Sequence, residues 1–140
     1  MLVGTSRGEE RGADMRCAVL VEQHAAFRQA MAHLLERHLE VELVEEASTI
    51  AEARAVALEN LGTIDVVVSE LSLPDGEATD FLVALREAET DAPVLVLTFR
   101  GDRPSHERAL ELGATRVMSK DAPVEEIFAA VRKLGGPGDD

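Results

Sequence analysis

The chain has 140 residues and a formal net charge of −13 at pH 7; 46% of its residues are apolar, with four Phe and neither Tyr nor Trp. This length suits one domain with an aliphatic core, and the acidic balance excludes a nucleic-acid-binding surface and disfavours contact with anionic membranes. One cysteine, Cys17, excludes an internal disulfide, and the lack of a long apolar stretch predicts a cytoplasmic protein with neither signal peptide nor membrane helix.

The predicted folded unit spans residues 15–134. Residues 1–14 contain three glycines and scattered charges without any periodicity, and we interpret them as a flexible N-terminal extension. Residues 135–140, with the sequence GGPGDD, are interpreted as a flexible tail or linker.

Strand and helix patterns alternate through the first half of this unit. Cys17–Val21 is an apolar, strand-like run, and a second strand is predicted at Val41–Val44. Thr49–Glu52 has the form of a capping box and opens a helix that stops at Gly62. Ile64–Ser69 is a β-branched run typical of a strand buried on both faces. The helix between the first two strands is indicated by the spacing of Phe27, Met31, Leu34, Leu35 and His38.

The same alternation continues in the second half. The Pro74-Asp75-Gly76 turn precedes a helix that carries Phe81, Leu82 and Leu85, and Val94–Thr98 is the fourth strand. A short helix begins near Pro104 and ends at Gly113, a favourable residue after a helix C-terminus. Thr115–Ser119 is the fifth strand, and the last helix follows Asp121-Ala122-Pro123.

Five strands alternating with five helices predict a doubly wound α/β domain with a flavodoxin-like, CheY-like parallel sheet of order 2-1-3-4-5. In such a sheet, ligands bind beyond the carboxyl ends of the strands. Four polar residues stand at those ends: Glu22, Glu70, Thr98 and Lys120. Because this order pairs the first and third strands, we expect Glu22 and Glu70 side by side, with Thr98 and Lys120 next to them.

These four residue types have the chemistry of a phosphoryl-accepting site. Two adjacent carboxylates repel each other unless a cation lies with them, and either Mg²⁺ or a lysine ammonium can supply that charge. A threonine hydroxyl and a lysine ammonium are the donors that a phosphoryl group needs. The lysine is conspicuous because the chain has only two, Lys120 and Lys133, among fourteen basic residues.

Residues 16–134 resemble the receiver domain of bacterial response regulators, and most closely the LuxR/NarL-type branch. The resemblance lies in His24–Arg28 after the first strand, Leu71–Gly76 after the third, and Gly113-Ala114 followed by Lys120–Pro123. The spacing agrees, since Pro74 lies four residues after Glu70 and Lys120 lies twenty-two residues after Thr98.

The resemblance implies a role for each strand-end residue. In receivers, a histidine kinase passes phosphate to a central aspartate, and Mg²⁺ is held by that aspartate and an acidic pair. The equivalent central position here is Glu70, and the acidic pair is replaced by Glu22 and Gln23. Thr98 and Lys120 match the phosphate-contacting positions.

The departures from the family pattern all affect phosphorylation. Glu70 is one methylene longer than aspartate, and in-line transfer is sensitive to displacements of about 1 Å. Gln23 removes a charge from the metal site, so Mg²⁺ binding by Glu22 and Glu70 is expected to be impaired. Phe99 replaces a small residue and is expected to crowd the pocket, and Val117 replaces the switch aromatic.

We therefore expect an atypical receiver, locked by a Glu70–Lys120 contact, that is not conventionally phosphorylated and is not an enzyme. The expected partner is a histidine kinase, an effector protein or a second copy, bound through the face formed by the fourth helix, fifth strand and fifth helix. Two alternatives are the receiver part of a NarL/LuxR-type transcription regulator and a receiver that senses a small ligand. A phosphatase is disfavoured because Glu22-Gln23-His24 lacks the Asp-x-Asp of haloacid-type enzymes.

Overall fold

The computed structural model describes residues 15–99 and 101–136, so residues 1–14 and 137–140 of the predicted extension and tail lie outside the described residues. The strands are β1 Cys17–Val21, β2 Leu43–Ala47, β3 Ile64–Glu70, β4 Ser72–Leu73, β5 Gly76–Glu77, β6 Val94–Thr98 and β7 Arg116–Ser119. The helices are α1 Ala25–His38, α2 Ile50–Glu59, α3 Ala78–Glu87, α4 Arg103–Glu111 and α5 Val124–Gly135. Within the described ranges, no helix is both long enough and apolar enough to cross a membrane.

The central sheet has five parallel strands in the order β2-β1-β3-β6-β7, which confirms the predicted fold and strand order. Strands β4 and β5 form a separate antiparallel hairpin around the Pro74–Asp75 turn. The sequence predicted the turn but not this hairpin, because two-residue strands are too short to show a periodic pattern.

Both faces of the sheet are covered by helices. Helices α1 and α5 cover one face through Leu35 and Ile127, which pack with Leu20 and Val68 of the strands. Helices α2, α3 and α4 cover the other face, where Phe81 is fully buried. Strands β1 and β6 are buried along their whole length, as expected for parallel strands between two helical layers.

Strand β2 lies further along the chain than predicted. The sequence predicted Val41–Val44, whereas the strand comprises Leu43–Ala47 and pairs with β1 from Cys17↔Leu43 to Val21↔Ala47. Its two glutamates, Glu45 and Glu46, suit an edge strand, because such a strand has one unpaired side and tolerates charged residues. Val41 is buried just before the strand, which explains the apolar signal there.

The predicted capping box at α2 forms only in part. Thr49 Oγ1 accepts from the Glu52 N–H at 3.0 Å, but the Glu52 carboxylate accepts from the backbone N–H and hydroxyl of Ser48 instead of from Thr49. Asp75 of the hairpin turn also caps the N-terminus of α2, although it is distant in sequence, because its Oδ1 accepts from the Ile50 N–H at 2.8 Å. This hydrogen bond lowers the pKa of Asp75 and gives the residue a structural role.

Helix α5 continues through Gly135, one residue beyond the predicted end of the folded unit. A Cβ atom added at Gly135 would lie 2.7 Å from both Met15 Sδ and Val66 Cβ. The end of helix α5 can therefore lie this close to strand β3 only because residue 135 has no side chain.

We expect Gly135→Ala to destabilise the domain by about 1–3 kcal/mol, because overpacking against Val66 outweighs the gain of about 1 kcal/mol in helix propensity. Urea unfolding measures the change. Gly101→Ala is the control, since nothing lies within 4 Å of the added carbon there, and it should be nearly neutral. Equal stability of the Gly135→Ala variant and the wild type would contradict the close packing.

Candidate functional site

Four polar side chains lie at the carboxyl edge of the sheet, as their positions in the sequence predicted. Glu22 follows β1, Glu70 and Thr98 end β3 and β6, and Lys120 follows β7. All four residues are buried, with 2%, 7%, 1% and 8% of their surfaces exposed. Buried charges are rare unless they are paired, so the contacts among these groups decide how the site is built.

Lys120 forms ion pairs with both glutamates. Its Nζ lies 2.7 Å from Glu22 Oε1 and 2.5 Å from Glu70 Oε1. The predicted contact between Glu70 and Lys120 is therefore present in the structure. Because one ammonium faces two carboxylates, the three groups together carry a net charge of −1.

The second oxygen of Glu70 binds the loop that follows β3. Oε2 accepts from the backbone N–H of Leu71 at 2.7 Å and from that of Ser72 at 3.1 Å. The side chain thus folds back over its own loop and uses one oxygen for the ammonium and the other for two amides. Charge-assisted hydrogen bonds of this kind are stronger than those between neutral groups.

Glu22 is held in a similar way by the loop that follows β1. Its Oε2 accepts from the His24 N–H at 2.9 Å and lies 2.8 Å from His24 Nδ1. Arg28 fixes the same loop, since Nη1 donates to the Glu22 carbonyl oxygen at 2.9 Å and Nε donates to Glu46 Oε1 at 3.0 Å. The sequence identified His24 and Arg28 only as part of the family motif, and their contacts depend on the loop conformation.

Gln23 points to a neighbouring loop rather than to the ammonium. Its Nε2 donates to the carbonyl oxygen of Ser72 at 3.1 Å. Ser72 is therefore bound at both ends of its backbone, by Gln23 at the carbonyl and by Glu70 at the N–H.

Two aromatic rings complete the surroundings of the lysine. The Lys120 Nζ lies 4.8 Å from the centroid of the Phe27 ring and 5.3 Å from that of Phe99, within the range of cation–π attraction. Phe99 is 65% exposed, whereas Phe27 is partly buried against the core. Helical spacing had indicated Phe27 only as a core residue, and no sequence signal pointed to its contact with Lys120.

Thr98 and Val117 have different surroundings. The Thr98 carbonyl oxygen accepts from the Lys120 N–H at 3.1 Å, which fixes the start of the loop after β7. Val117 pairs with Val96 across the sheet and packs, partly buried, on the core beneath α2, α3 and α4.

The donor set does not fit Mg²⁺. Each of the four carboxylate oxygens of Glu22 and Glu70 already faces a nitrogen. The Lys120 ammonium lies between the Oε1 atoms of the two residues. Mg²⁺ demands near-octahedral oxygen ligands, and here an ammonium occupies the position between these two oxygens. In the described part of the chain, no group of three or more His, Cys, Asp or Glu side chains is arranged to hold a metal ion.

The pairing changes the pKa values of two members of the site. Burial raises the pKa of the Glu22 carboxyl, but hydrogen bonds from Lys120 and His24 outweigh this effect and hold it below its ordinary value. Burial lowers the pKa of the Lys120 ammonium, but hydrogen bonds to Glu22 and Glu70 outweigh it and raise the pKa above its ordinary value. Both groups are therefore charged at neutral pH.

Comparison with known proteins gives a consistent match over most of the chain. The family model described as the response regulator receiver domain matches residues 18–132. The photosynthetic apparatus regulatory protein RegA of Cereibacter sphaeroides is 33% identical over 126 residues, which are 90% of this chain and 66% of RegA. The oxygen regulatory protein NreC of Staphylococcus carnosus is 30% identical over 120 residues, covering 83% of this chain and 53% of NreC. The chain thus spans between about half and two thirds of these relatives.

A solved structure supports the fold. The beryllofluoride-activated NtrC4 receiver domain dimer superposes with a TM-score of 0.77 and 23% sequence identity, over 86% of this chain and 97% of that one. At this level of identity, the similarity establishes the architecture of the sheet and its helices.

We expect Lys120→Met to destabilise the domain by about 3–5 kcal/mol at neutral pH, because it leaves two buried carboxylates without their cation. The loss should be smaller in acid, where protonation of Glu22 removes the repulsion. Urea unfolding at both pH values gives the difference. Lys133→Met removes the other, exposed lysine and should be nearly neutral, whereas equal effects of the two substitutions would contradict this description of the site.

The pKa shifts also predict how stability depends on pH. The lowered pKa of Glu22 means that its contribution is present above its ordinary value of 4.5 and is lost as pH falls through the folded-state value. The raised pKa of Lys120 means that its contribution is present below its ordinary value of 10.5 and is lost as pH rises through the folded-state value. Urea unfolding across the pH range should show both losses, and Glu22→Gln should weaken the acid one. If Glu22→Gln loses as much stability in acid as the wild type does, the attribution of this loss to Glu22 is contradicted.

Proposed function

The chain belongs to the family of response regulator receiver domains, in the LuxR/NarL-type branch, and we propose that it is an atypical receiver that signals without conventional phosphorylation of its central acid. Receiver domains are signalling modules as a family, and the proposal assigns no catalytic residue to this one. The cytoplasmic location expected from the sequence is part of the same proposal.

The observation that carries the proposal is the occupation of the phosphoryl-binding donors by Glu70 itself. An incoming phosphoryl group needs cationic and backbone N–H donors to bind its oxygens. At this site the Lys120 ammonium contacts Glu70 Oε1, and the N–H groups of Leu71 and Ser72 donate to Glu70 Oε2. A phosphoryl donor would have to displace the carboxylate from all three before transfer.

The same contacts give Glu70 a second role in the proposal. A carboxylate that binds an ammonium and two amides imitates part of a phosphoryl group, although it carries one charge where a phosphate carries about −1.5 to −2. Glu70 therefore holds the loop after β3 and the lysine after β7 in one arrangement. We propose that the domain is biased towards a single signalling state by this contact.

The output of such a domain is contact with another protein. We propose that the partner, either an effector, a histidine kinase or a second copy, binds the face formed by α4, β7 and α5. Leu110 of α4 and Val124 of α5 are large apolar residues exposed by 47% and 38%, on the two helices that flank β7. The NtrC4 receiver, which shares the fold, forms a dimer in its beryllofluoride-activated state. Val117 offers no aromatic ring that could rotate beneath this face.

One observation favours a more specific version of this function. RegA and NreC are longer than the chain, which covers 66% and 53% of them. We propose as a second candidate that the domain is the receiver part of a NarL/LuxR-type transcription regulator, whose output would pass to a further domain. The small-ligand sensor stays a prediction, and none of the contacts described above favours it.

Phosphorylation can be tested directly with acetyl phosphate and Mg²⁺, followed by intact-mass measurement. We expect no adduct of about 80 Da, the mass of a phosphoryl group, because the donors and the metal-binding oxygens are already paired. A conventional receiver treated in parallel shows that the reagent is active. An adduct that forms on the wild type and is lost in Glu70→Ala would overturn the proposal.

A further inference from the structure

We infer that two nitrogen groups of the chain, the Lys120 ammonium and the Gln23 side-chain amide, hold this site together in place of a divalent cation. Gln23 is the residue whose hydrogen bond makes the metal unnecessary. The inference rests on the proposed function, because it explains how the same site keeps one arrangement without an external ion. It assigns Gln23 a positioning role, exerted on Glu70 through Ser72.

The contacts around the site form a closed ring. Gln23 Nε2 donates to the Ser72 carbonyl oxygen, and the Ser72 N–H donates to Glu70 Oε2. Glu70 Oε1 pairs with Lys120, and Lys120 pairs with Glu22, the residue before Gln23. The peptide bond between Glu22 and Gln23 closes the ring, which joins the three loops that follow β1, β3 and β7. Each non-covalent contact in the ring pairs a nitrogen with an oxygen.

The two nitrogen groups neutralise different oxygen contacts. The Lys120 ammonium lies between one oxygen of Glu22 and one of Glu70, which would otherwise repel each other. The Gln23 amide supplies hydrogen to the Ser72 carbonyl oxygen at 3.1 Å. An acidic side chain of the same length at this position would present an oxygen to that carbonyl, and a cation would be needed to hold the two oxygens together.

The ring makes Gln23 a determinant of the Glu70 position. Its hydrogen bond holds the Ser72 peptide from the carbonyl side, while the N–H of the same residue holds Glu70 Oε2. If Ser72 moved, Glu70 would lose one of its two amide donors. The identity of residue 23 therefore affects how firmly Glu70 is presented to Lys120, although Gln23 itself does not contact the lysine in this ring.

The isosteric variant Gln23→Glu tests the inference, because it replaces the NH₂ donor with an oxygen of the same reach. Thermal unfolding is recorded for the wild type, Gln23→Glu and Gln23→Ala, first with a chelator and then with increasing MgCl₂. Because the chain has a net charge of −13, NaCl of equal ionic strength is the reference, and against it we expect no Mg²⁺-dependent change in Tm for the wild type or Gln23→Ala. For Gln23→Glu we expect a lowered Tm with chelator and a rise of roughly 5 °C with saturating Mg²⁺.

A pH series without metal adds a readout that loss of packing would not produce. Below about pH 4 the introduced carboxyl becomes protonated and can again donate to the Ser72 carbonyl, so the stability difference between Gln23→Glu and the wild type should shrink. Gln23→Ala should show no such recovery. A constant difference for Gln23→Glu at all pH values, or no response of that variant to Mg²⁺, would overturn the inference.

The wild-type protein alone also decides the question, even where a variant fails to fold. A Tm rise of the wild type with Mg²⁺ above that with NaCl of equal ionic strength would show that a cation still enters the site and would overturn the inference. If the wild type then still took no phosphoryl adduct, the proposed function would stand while this inference failed. An adduct without any Mg²⁺-dependent Tm shift would overturn the proposed function instead.

Discussion

The arrangement of this domain depends on one electrostatic constraint: two carboxylates at the ends of neighbouring parallel strands need a cation between them. Lys120 meets it from the end of β7, and its Nζ lies within 2.7 Å of both Glu22 and Glu70. Because the desolvation of each charge costs several kcal/mol, the group is stable only when all three members are present and hydrogen-bonded. The backbone N–H groups of the loops that follow Glu22 and Glu70 provide those further hydrogen bonds.

This constraint links structure to the proposed signalling role. The ammonium and the amides that pair with Glu70 are the groups that an anionic ligand at this edge of the sheet would use. In the proposed function, Glu70 reaches them from within the chain and takes the place of that ligand, so the state of the site would not depend on an external phosphoryl group or cation. The input that regulates such a domain would then be its abundance or its partner rather than phosphorylation.

The fold was predictable from the sequence because its strands are continuous apolar runs, and Val94–Thr98 was predicted to the residue. Strand β2 was misplaced because its position is set by pairing with β1 and not by its own pattern. The convergence of Glu22, Glu70 and Lys120 followed from strand order alone. The Gln23–Ser72 hydrogen bond and the packing of Phe27 on Lys120 were not predictable, because they depend on loop conformation and on the direction of single side chains.

A double-mutant cycle between Glu70 and Lys120 tests the central claim most directly. The free energy of unfolding is measured for the wild type, Glu70→Gln, Lys120→Met and the double variant. Our account predicts a favourable coupling energy of about 1–3 kcal/mol, because the pair is buried and in direct contact. Additive effects, with a coupling below about 0.5 kcal/mol, would contradict the claim that Glu70 holds Lys120.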